Sequence, residues 1–265
     1  MIYQTRMNIS DNISNVERQE QIIQLIMRNK RVSVNDLCET FSISKATARR
    51  DLESLANQGK IQRVHGGAIH INTAPPEMPI LQRQIEQAEE KKQIGLVAAR
   101  LVPNGSSVFL GSGTTVLEVA RHLRQSRDLT IVTNSLQVIN TFSDIRDITL
   151  VAIGGMFRAS ELSFIGHITE AALAEINVDI VIMGVRAISL THGLTNDYLH
   201  ETMTDRAIMR TGRKVILVVD HTKFGRIATA FLAPLENVHT VVTDYMTKPE
   251  YVSELEERGI HVIRA

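Results

Sequence analysis

The sequence predicts a two-part α/β protein, with a small helical domain followed by a larger domain built on a mainly parallel sheet. Residues 32–68 read as helix, short turn, helix and then a basic hairpin with two glycines. From about residue 106 onward, short apolar runs alternate with amphipathic ones, as in a parallel sheet covered by helices on both faces. A cluster of three prolines within residues 75–79 separates the two patterns.

Composition limits the class of protein. The chain has 265 residues, 43% of them hydrophobic, which is enough for two packed domains. Its 29 basic and 29 acidic residues balance, but residues 17–72 carry nine basic and six acidic ones, which suits a module that grips a polyanion at one end. The single Cys38 excludes a disulfide framework, and no apolar run approaches the roughly 18 residues of a membrane span. We therefore expect a cytoplasmic protein with no membrane partner.

The proline cluster sets the domain boundary. Pro75, Pro76 and Pro79 each remove a backbone donor and push the preceding residue out of the helical region. The first residues of the chain are polar and lack an apolar stripe. We therefore divide the chain into a disordered tail, a helical DNA-binding candidate, a linker and an α/β domain, over residues 1–15, 16–72, 73–80 and 81–265.

Three helices are predicted in the front domain. The first, over residues 16–28, has an apolar stripe of isoleucine and leucine. Ser33 is a good N-cap for the second, because Asp36 follows three residues later in the manner of a capping box. Ser44 caps the third, and Gly59 ends it. The residues of the third helix expected to face the core are Ala48, Leu52, Leu55 and Ala56.

The opposite face of the third helix carries basic residues in its first two turns. The N-terminal residues of a recognition helix reach base edges in the major groove of DNA. Arg49 and Arg50 can bridge guanine bidentately, and Ala46 can touch a thymine methyl group. Lys45 and Thr47 are placed to hold phosphates. The helix residues predicted to contact DNA are Ser44, Lys45, Ala46, Thr47, Arg49 and Arg50.

A basic hairpin follows this helix. Residues 60–69 alternate apolar and polar positions, and Gly66-Gly67 indicates a tight turn. The hairpin would place Arg63, His65 and Gly66 against the sugar–phosphate backbone, which completes a winged helix-turn-helix domain. The alternative is a protein-docking module whose arginine face is simply solvated.

The rear domain contains seven short apolar runs that we predict to be strands: residues 108–110, 129–132, 148–153, 180–183, 215–219, 240–242 and 260–263. Polar and glycine residues follow directly after five of them. Ligands of open α/β sheets bind at the carboxyl ends of the strands, so these residues predict a polar small-molecule pocket. They are Gly111, Ser112, Gly113, Thr114, Thr115, Thr133, Asn134, Ser135, Gly154, Gly155, Gly184, Asp220 and Lys223.

The first of these loops is the most specific. Residues 111–115 directly precede a predicted helix, so their N–H groups and hydroxyls form a cradle for an anion such as a phosphate, or for a sugar hydroxyl. The alternative is that glycine and threonine only make turns between strands and helices. A dinucleotide fits poorly, because Val116 stands where the third glycine of that fingerprint would be. The histidines show no metal spacing, since His200-Glu201 lacks the second histidine of a zinc helix. We predict no metal and no cofactor.

Both domains resemble one known family. The pattern Ser44…Thr47-Ala48-Arg49-Arg50-Asp51-Leu52, followed by Arg63-Val64-His65-Gly66-Gly67-Ala68, is similar to the DNA-binding signature of the DeoR family of bacterial transcription regulators. The rear loops, including Ser112-Gly113-Thr114-Thr115 and Asp220-x-x-Lys223-Phe224, resemble the sensor domain of that family. The resemblance implies a fold similar to ribose-5-phosphate isomerase, and it implies that the same rear loops line a pocket for a phosphorylated sugar or related metabolite. Glu201 matches the acid that often opens a helix over this pocket.

Two positions depart from the family pattern. Most members carry aspartate where this chain has Gly111, and many carry a lysine where it has Asp205. Asp205 lies four residues after Glu201, so the two carboxylates share a helical face. We therefore expect an effector with more hydroxyl or cationic character near Asp205.

The sequence supports two main classes of function and leaves a third open, a pure docking module that binds no ligand. The first is a cytoplasmic bacterial regulator, a repressor in our reading, that binds double-stranded operator DNA as a homo-oligomer and responds to a small-molecule effector. Such a protein has no catalytic residue. The second is a sugar-phosphate isomerase with an added DNA-binding domain, in which Glu201 or Asp205 would abstract a proton beside a carbonyl.

Overall fold

A computed structural model describes residues 14–29, 31–57, 61–64, 66–70, 74 and 78–265. The chain divides into two compact units, residues 1–72 and 73–265. Predictions for the N-terminal tail, Gly59, His65, Pro75 and Pro76 lie outside the described residues.

The first unit is a winged helix-turn-helix. Its elements are α1 (Asn15–Asn29), β1 (Arg31–Ser33), α2 (Val34–Phe41), α3 (Lys45–Asn57), β2 (Ile61–Val64) and β3 (Gly67–His70). The strands form an antiparallel sheet in the order β1-β3-β2. Strand β1 was not predicted; its three residues are too few to show a pattern, and pairing with the wing makes them extended.

Local hydrogen bonds fix where the helices of this unit begin. The Asp36 N–H donates to Ser33 Oγ at 3.1 Å, and the Ser33 N–H donates to Asp36 Oδ2 at 2.8 Å, so the predicted capping box is confirmed. Ser42 takes the left-handed conformation, with φ of 52°, in the turn between α2 and α3. The Thr47 N–H then donates to Ser44 Oγ at 3.1 Å, which starts α3 at the predicted residue.

The second unit contains seven helices in its described residues: α4 (Ile80–Arg83), α5 (Ala88–Ala99), α6 (Thr114–Leu123), α7 (Leu136–Phe142), α8 (His167–Leu173), α9 (Leu199–Thr211) and α10 (Pro249–Glu257). Its strands are β4 (Ser107–Leu110), β5 (Thr130–Thr133), β6 (Thr149–Ala152), β7 (Met156–Arg158), β8 (Ser163–Ile165), β9 (Val178–Met183), β10 (Ala187–Ser189), β11 (Gly193–Asn196), β12 (Gly212–Val218), β13 (Ala230–Ala233), β14 (Thr240–Thr243) and β15 (His261–Arg264). Two single turns of 3₁₀ helix lie at His221–Lys223 and Leu235–Asn237.

A seven-stranded parallel sheet organises this unit, in the order β15-β14-β12-β9-β4-β5-β6. These are the seven strands that the apolar runs predict, so the fold class is confirmed. Two small antiparallel sheets, β7-β8 and β10-β11-β13, were missed. Their strands are only three or four residues long, which is too short for a two-residue alternation to stand out.

The sheet separates two apolar layers. Alternate residues of one strand point to opposite faces, as Val108 and Leu110 on one side and Phe109 on the other show. Helices α5, α6 and α7 pack with the first layer, whereas α8, α9 and α10 contribute to the second. All seven strands of this sheet run parallel, so the loops that follow β4, β9 and β12 gather at one edge of it.

Candidate functional site

The first surface of interest is the exposed face of α3. Ala48, Leu52 and Leu55 are fully buried, whereas Lys45 and Arg50 are exposed. The remaining residues predicted to read bases, Ala46 and Arg49, are exposed as well. The helix therefore presents its cationic N-terminal turns to solvent.

The wing is held against this helix. Arg63 is exposed, and its Nη1 donates to the main-chain oxygen of Arg49 at 3.1 Å. A concave surface lined by Lys45, Arg49, Arg63 and Gly66 results. Three cationic side chains from two elements thus face one depression, which suits the edge of a phosphate backbone.

Asp51 has a role that sequence reasoning missed. Its carboxylate is only 3% exposed and accepts from Arg18 Nε at 2.7 Å and from Arg18 Nη2 at 3.2 Å. Gln19 Nε2 adds a third contact at 3.3 Å. The hydrogen bond to Asp51 raises the pKa of Arg18. This ion pair joins α3 to α1 and sets the angle at which the cationic face is presented.

The second unit contains a polar pocket at the carboxyl ends of β4, β9 and β12. Gly113, with φ of 126°, turns the chain into the N-terminus of α6, a conformation that L side chains rarely adopt. The structure brings nine of the predicted effector residues to this pocket: Gly111, Ser112, Gly113, Thr114, Thr115, Gly184, Glu201, Asp205 and Lys223.

Three other predicted residues lie beside the pocket wall, in the interior. Thr133 is fully buried; its Oγ1 donates to the Leu110 oxygen at 2.6 Å and accepts from the Ser135 N–H at 3.0 Å. The Asn134 amide Nδ2 donates to the Phe164 oxygen at 2.9 Å. Residues 133–135 therefore join β5 to its sheet neighbour β4 and to β8 of a separate sheet.

The last three predicted residues are also outside the pocket lining. A Cβ on Gly155 would come within 2.0 Å of Thr169 Oγ1, so the absence of a side chain at Gly155 allows α8 to approach, and Thr169 then donates to the Gly154 main-chain oxygen at 2.9 Å. Asp220 is 1% exposed and accepts from the Thr222 N–H at 2.9 Å. It caps the 3₁₀ turn that carries Lys223.

Several lining residues were not foreseen. Glu86 and Gln87, together with Arg83 and Lys91, come from the segment that directly follows the linker, and Glu161 comes from the turn between β7 and β8. No sequence motif marks these positions, so the sequence did not predict them. Two more follow strands, Arg186 after β9 and Asn196 at the end of β11. Arg186 could have been found, since it stands two residues after Gly184 at a strand's carboxyl end.

Lys91 is the most buried cation at the pocket, with 4% of the residue exposed. Its Nζ donates to the main-chain oxygens of Arg83 at 2.6 Å and Glu86 at 2.5 Å. Burial lowers the pKa of this ammonium, and the charge of Asp220 opposes that shift. Lys91 therefore closes the turn between α4 and α5 while placing a positive charge on the pocket wall.

Two arginines extend the cationic wall and are themselves paired. Arg83 makes an ion pair with Glu161, and its Nε donates to the Met78 oxygen at 2.9 Å. Arg186 Nε contacts Asp197 Oδ2 at 2.8 Å. Each pair fixes the direction of a guanidinium without an added ligand.

The wall formed by α9 is acidic. Glu201 pairs with Arg158, which also lies 4.7 Å over the Tyr198 ring. Asp205 Oδ2 accepts from Asn196 Nδ2 at 2.8 Å, and Asn196 Oδ1 accepts from the Arg186 N–H at 3.0 Å. The pocket thus has a cationic side with hydroxyls and a carboxylate side with an oriented amide, which is suited to a polar ligand that carries a negative charge at one end.

The described ranges contain no candidate metal cluster and no candidate membrane-spanning helix. Within them, no group of three or more histidine, cysteine, aspartate or glutamate side chains is placed to hold a metal ion. No helix in that part of the chain is both long and apolar enough to cross a bilayer.

A winged helix-turn-helix unit joined to an α/β unit with a polar pocket defines a DNA-binding regulator with a ligand-sensing domain. Residues 18–74 match the family model described as the DeoR-like helix-turn-helix domain, and residues 86–245 match the model described as the DeoR C terminal sensor domain. The chain therefore belongs to the DeoR family of transcriptional regulators, as its motifs predicted.

Relatives along nearly the whole chain are regulators. The chain is 38% identical over 228 residues to the glycerol-3-phosphate regulon repressor of Escherichia coli (strain K12), which covers 86% of this chain and 90% of that protein. It is 34% identical over 247 residues to the HTH-type transcriptional regulator IolR of Bacillus subtilis (strain 168), covering 92% and 98%. The transcriptional repressor AccR of Agrobacterium fabrum is 32% identical over 237 residues, covering 89% and 92%. These relatives favour the regulator over the isomerase alternative.

Solved structures share part of the fold. Ribose 5-phosphate isomerase A from Neisseria gonorrhoeae matches with a TM-score of 0.40 and 15% identity, covering 56% of each chain. The corresponding enzyme from Methanocaldococcus jannaschii matches with a TM-score of 0.39 and 18% identity, covering 52% of this chain and 55% of that one. A likeness this partial says nothing about activity.

Proposed function

We propose that this protein represses a carbohydrate-utilisation operon and that a phosphorylated sugar or related polyol derivative controls it through the α/β unit. The relatives' names point the same way, since one is a glycerol-3-phosphate regulon repressor and another is a transcriptional repressor. The observation that carries the proposal is the pocket beside the N-terminus of α6, where a buried lysine faces a loop of glycines and hydroxyls.

The anionic group of the effector binds at the cationic side. The backbone N–H groups of residues 112–115 lie at the start of α6, and a helix N-terminus favours a negative charge. Lys91 and Lys223 supply full charges on the same pocket. A phosphate offers three acceptor oxygens to such donors, which makes it a better fit than a single carboxylate.

The rest of the effector lies toward α9. Asp205 and Asn196 present a carboxylate and an amide, which accept and donate hydrogen bonds to hydroxyl groups. An aspartate in place of the lysine found in many family members selects a hydroxyl or a cation at this end. We assign Thr133, Asn134, Ser135, Gly154, Gly155 and Asp220 to holding the loops and strands around the pocket, on the basis of their contacts.

On DNA, α3 enters the major groove and the wing follows the backbone. Base contacts come from Ala46, Arg49 and Arg50, and backbone contacts come from Ser44, Lys45, Thr47, Arg63, His65 and Gly66. One such unit reads only a short half-site, so the protein acts as a homo-oligomer on repeated half-sites in the bacterial cytoplasm.

Effector binding is communicated through the segment that follows the linker. An anion in the pocket competes with Glu161 for Arg83, whose Nε also donates to the main-chain oxygen of Met78 in that linker. Breaking the ion pair changes how the chain leaves the α/β unit. A coupling free energy of roughly 1–3 kcal/mol between effector and DNA is typical of such regulators.

Thermal unfolding of the full chain with and without ligands tests the site. The ligands are sugar phosphates and polyol phosphates, including glycerol 3-phosphate, together with their non-phosphorylated parents. At least one phosphorylated compound should raise the unfolding temperature of the wild type, because a ligand that binds only the native state stabilises it. The Lys91→Gln variant should lose most of this shift.

Lys92→Gln is the matched control, because Lys92 is the exposed neighbour of Lys91 on the same helix. It should keep the wild-type shift. If no phosphorylated compound stabilises the wild type, or if Lys91→Gln and Lys92→Gln respond alike, the proposed site is wrong.

A further inference from the structure

An unusually large apolar surface surrounds α9. Seven large hydrophobic side chains around this helix are between 39% and 58% exposed. They come from four elements and the residue before α9. We call them the α9 apolar surface: Met156, Phe157, Ile168, Tyr198, Leu199, Met203 and Phe231.

Hydrogen bonds from α9 and from the turn before it hold these elements together. Arg158 of β7 pairs with Glu201 and stacks over Tyr198. Thr204 donates to Glu170 Oε1 of α8 at 3.0 Å, and Arg206 Nε donates to the Leu232 oxygen of β13 at 3.1 Å. Because α9 contacts all three neighbours directly, their exposed side chains lie around one helix.

The size of this surface matches one side of a stable interface. Half-exposed side chains of this size each leave roughly 100 Å² in water, so seven of them leave about 700 Å². A standard specific interface buries about 800 Å² on each partner, whereas apolar patches on monomeric proteins rarely exceed a few hundred Å². The summed exposure of the α9 apolar surface is therefore larger than the roughly 300–600 Å² of the largest patch on a typical monomer.

Charges beside the surface are of both signs. A groove between α8 and α9 is lined by Glu170, Met203, Ala207 and Arg210. In a two-fold contact the same patch meets itself in reverse, so an acid and a base at separate points of the groove can pair across the axis. A partner surface whose charges are all of one sign could not pair with both the acid and the base.

We infer that the occupant of the α9 apolar surface is a second copy of this chain. The inference rests on the homo-oligomer proposed above and names the surface that builds it. Helix α9 then has two functional faces. Glu201, Asp205 and Ile208 line the ligand pocket, whereas Leu199 and Met203 belong to the α9 apolar surface. One rigid helix thus links the pocket wall to the partner subunit.

Sedimentation velocity of the full chain, measured over a range of micromolar concentrations, tests this surface. The wild type should sediment with the mass of at least two copies. Met203→Glu and, separately, Ile168→Glu should halve that mass or weaken self-association at least about tenfold, because each places a charge in an apolar interface. Circular dichroism and thermal unfolding confirm that each variant is folded.

Met246→Glu is the matched control, since Met246 is 63% exposed in the loop between β14 and α10, outside the α9 apolar surface. It should keep the wild-type mass. A wild type that sediments as one copy would overturn both the oligomer and this surface. An oligomeric wild type whose mass survives both Met203→Glu and Ile168→Glu, or falls equally in Met246→Glu, would overturn the surface alone.

Discussion

Adjacent residues of α3 have opposite roles. Arg49 and Arg50 are exposed, whereas the next side chain, Asp51, is buried against Arg18 and fixes the helix to α1. A run of charged residues can thus include side chains that face solvent for binding and a side chain whose ion pair orients the helix. The same holds at the pocket, where Lys91 is buried and its neighbour Lys92 is exposed.

Removing single side chains from α3 should distinguish the residues that contact DNA bases from those that contact the DNA backbone. Arg50→Ala is expected to cost roughly 1–3 kcal/mol on a selected binding sequence and to relax base preference, because a bidentate contact to guanine is lost. Lys45→Ala should weaken binding to all sequences and reduce the slope of the salt dependence by about 1. Fluorescence anisotropy with a selected duplex and a scrambled duplex, over a salt series, measures both effects. Equal losses on the two duplexes for both variants would contradict these roles.

At the scale of secondary-structure elements, pairs of helices position the pocket. Helices α5 and α6 carry Lys91 and the residues 114–115, and they approach closely at Gly95. A Cβ on Gly95 would lie 2.6 Å from Glu118 Cβ and 2.7 Å from the Glu118 main-chain carbon. Backbone cannot yield as a flexible side chain can, so this one position sets the distance between Lys91 and the N-terminus of α6.

Gly95→Ala should therefore destabilise the α/β unit and disturb the pocket. We expect a loss of roughly 1–3 kcal/mol in its free energy of unfolding, which is typical of an overpacked core position. Urea unfolding followed by circular dichroism measures it. Gly154→Ala is the control, because no atom lies within 4 Å of a Cβ there, and it should change stability by less than about 0.5 kcal/mol. Equal effects of the two variants would show that the α5–α6 contact is not restrictive.

The whole molecule joins a DNA-binding unit to a sensing unit through one stretch of chain. The first residues after this stretch include Arg83 and Lys91, which line the pocket and bind main-chain oxygens of their own segment. On the route proposed above, a ligand that contacts these side chains acts on the chain that leads to the DNA-binding unit. Regulation then needs no residue that touches both the effector and DNA.

Glu161→Gln should mimic the bound effector. The neutral amide cannot hold Arg83 as an ion pair, so the DNA affinity of the ligand-free variant should shift toward that of the liganded wild type. Adding effector should then change it little. Anisotropy titrations with and without the stabilising phosphorylated compound measure this coupling. Glu118→Gln, which removes a surface ion pair with Arg121 on α6, is the control and should respond like the wild type; a Glu161→Gln variant with full response would refute the route.

Patterns that repeat within a few residues were readable from the sequence alone. Seven apolar runs became the seven strands of the parallel sheet, and the spacing of Ala48, Leu52 and Leu55 separated the two faces of α3. Ser33 and Ser44 marked helix starts because a cap is made by residues three positions apart. The loop of residues 111–115 reached the pocket because parallel strands bring their carboxyl ends to one edge.

Contacts between distant parts of the chain were decided only by the tertiary structure. Arg83 and Glu161 are 78 residues apart, and Arg18 and Asp51 are 33 apart, so no local pattern connects either pair. The glycines and hydroxyls after β5 and β6 resembled pocket residues, yet packing turned them toward Phe164 and Thr169. A sequence records which side chains exist along a strand or helix, whereas the charge and shape of a pocket depend on which elements the fold brings beside one another.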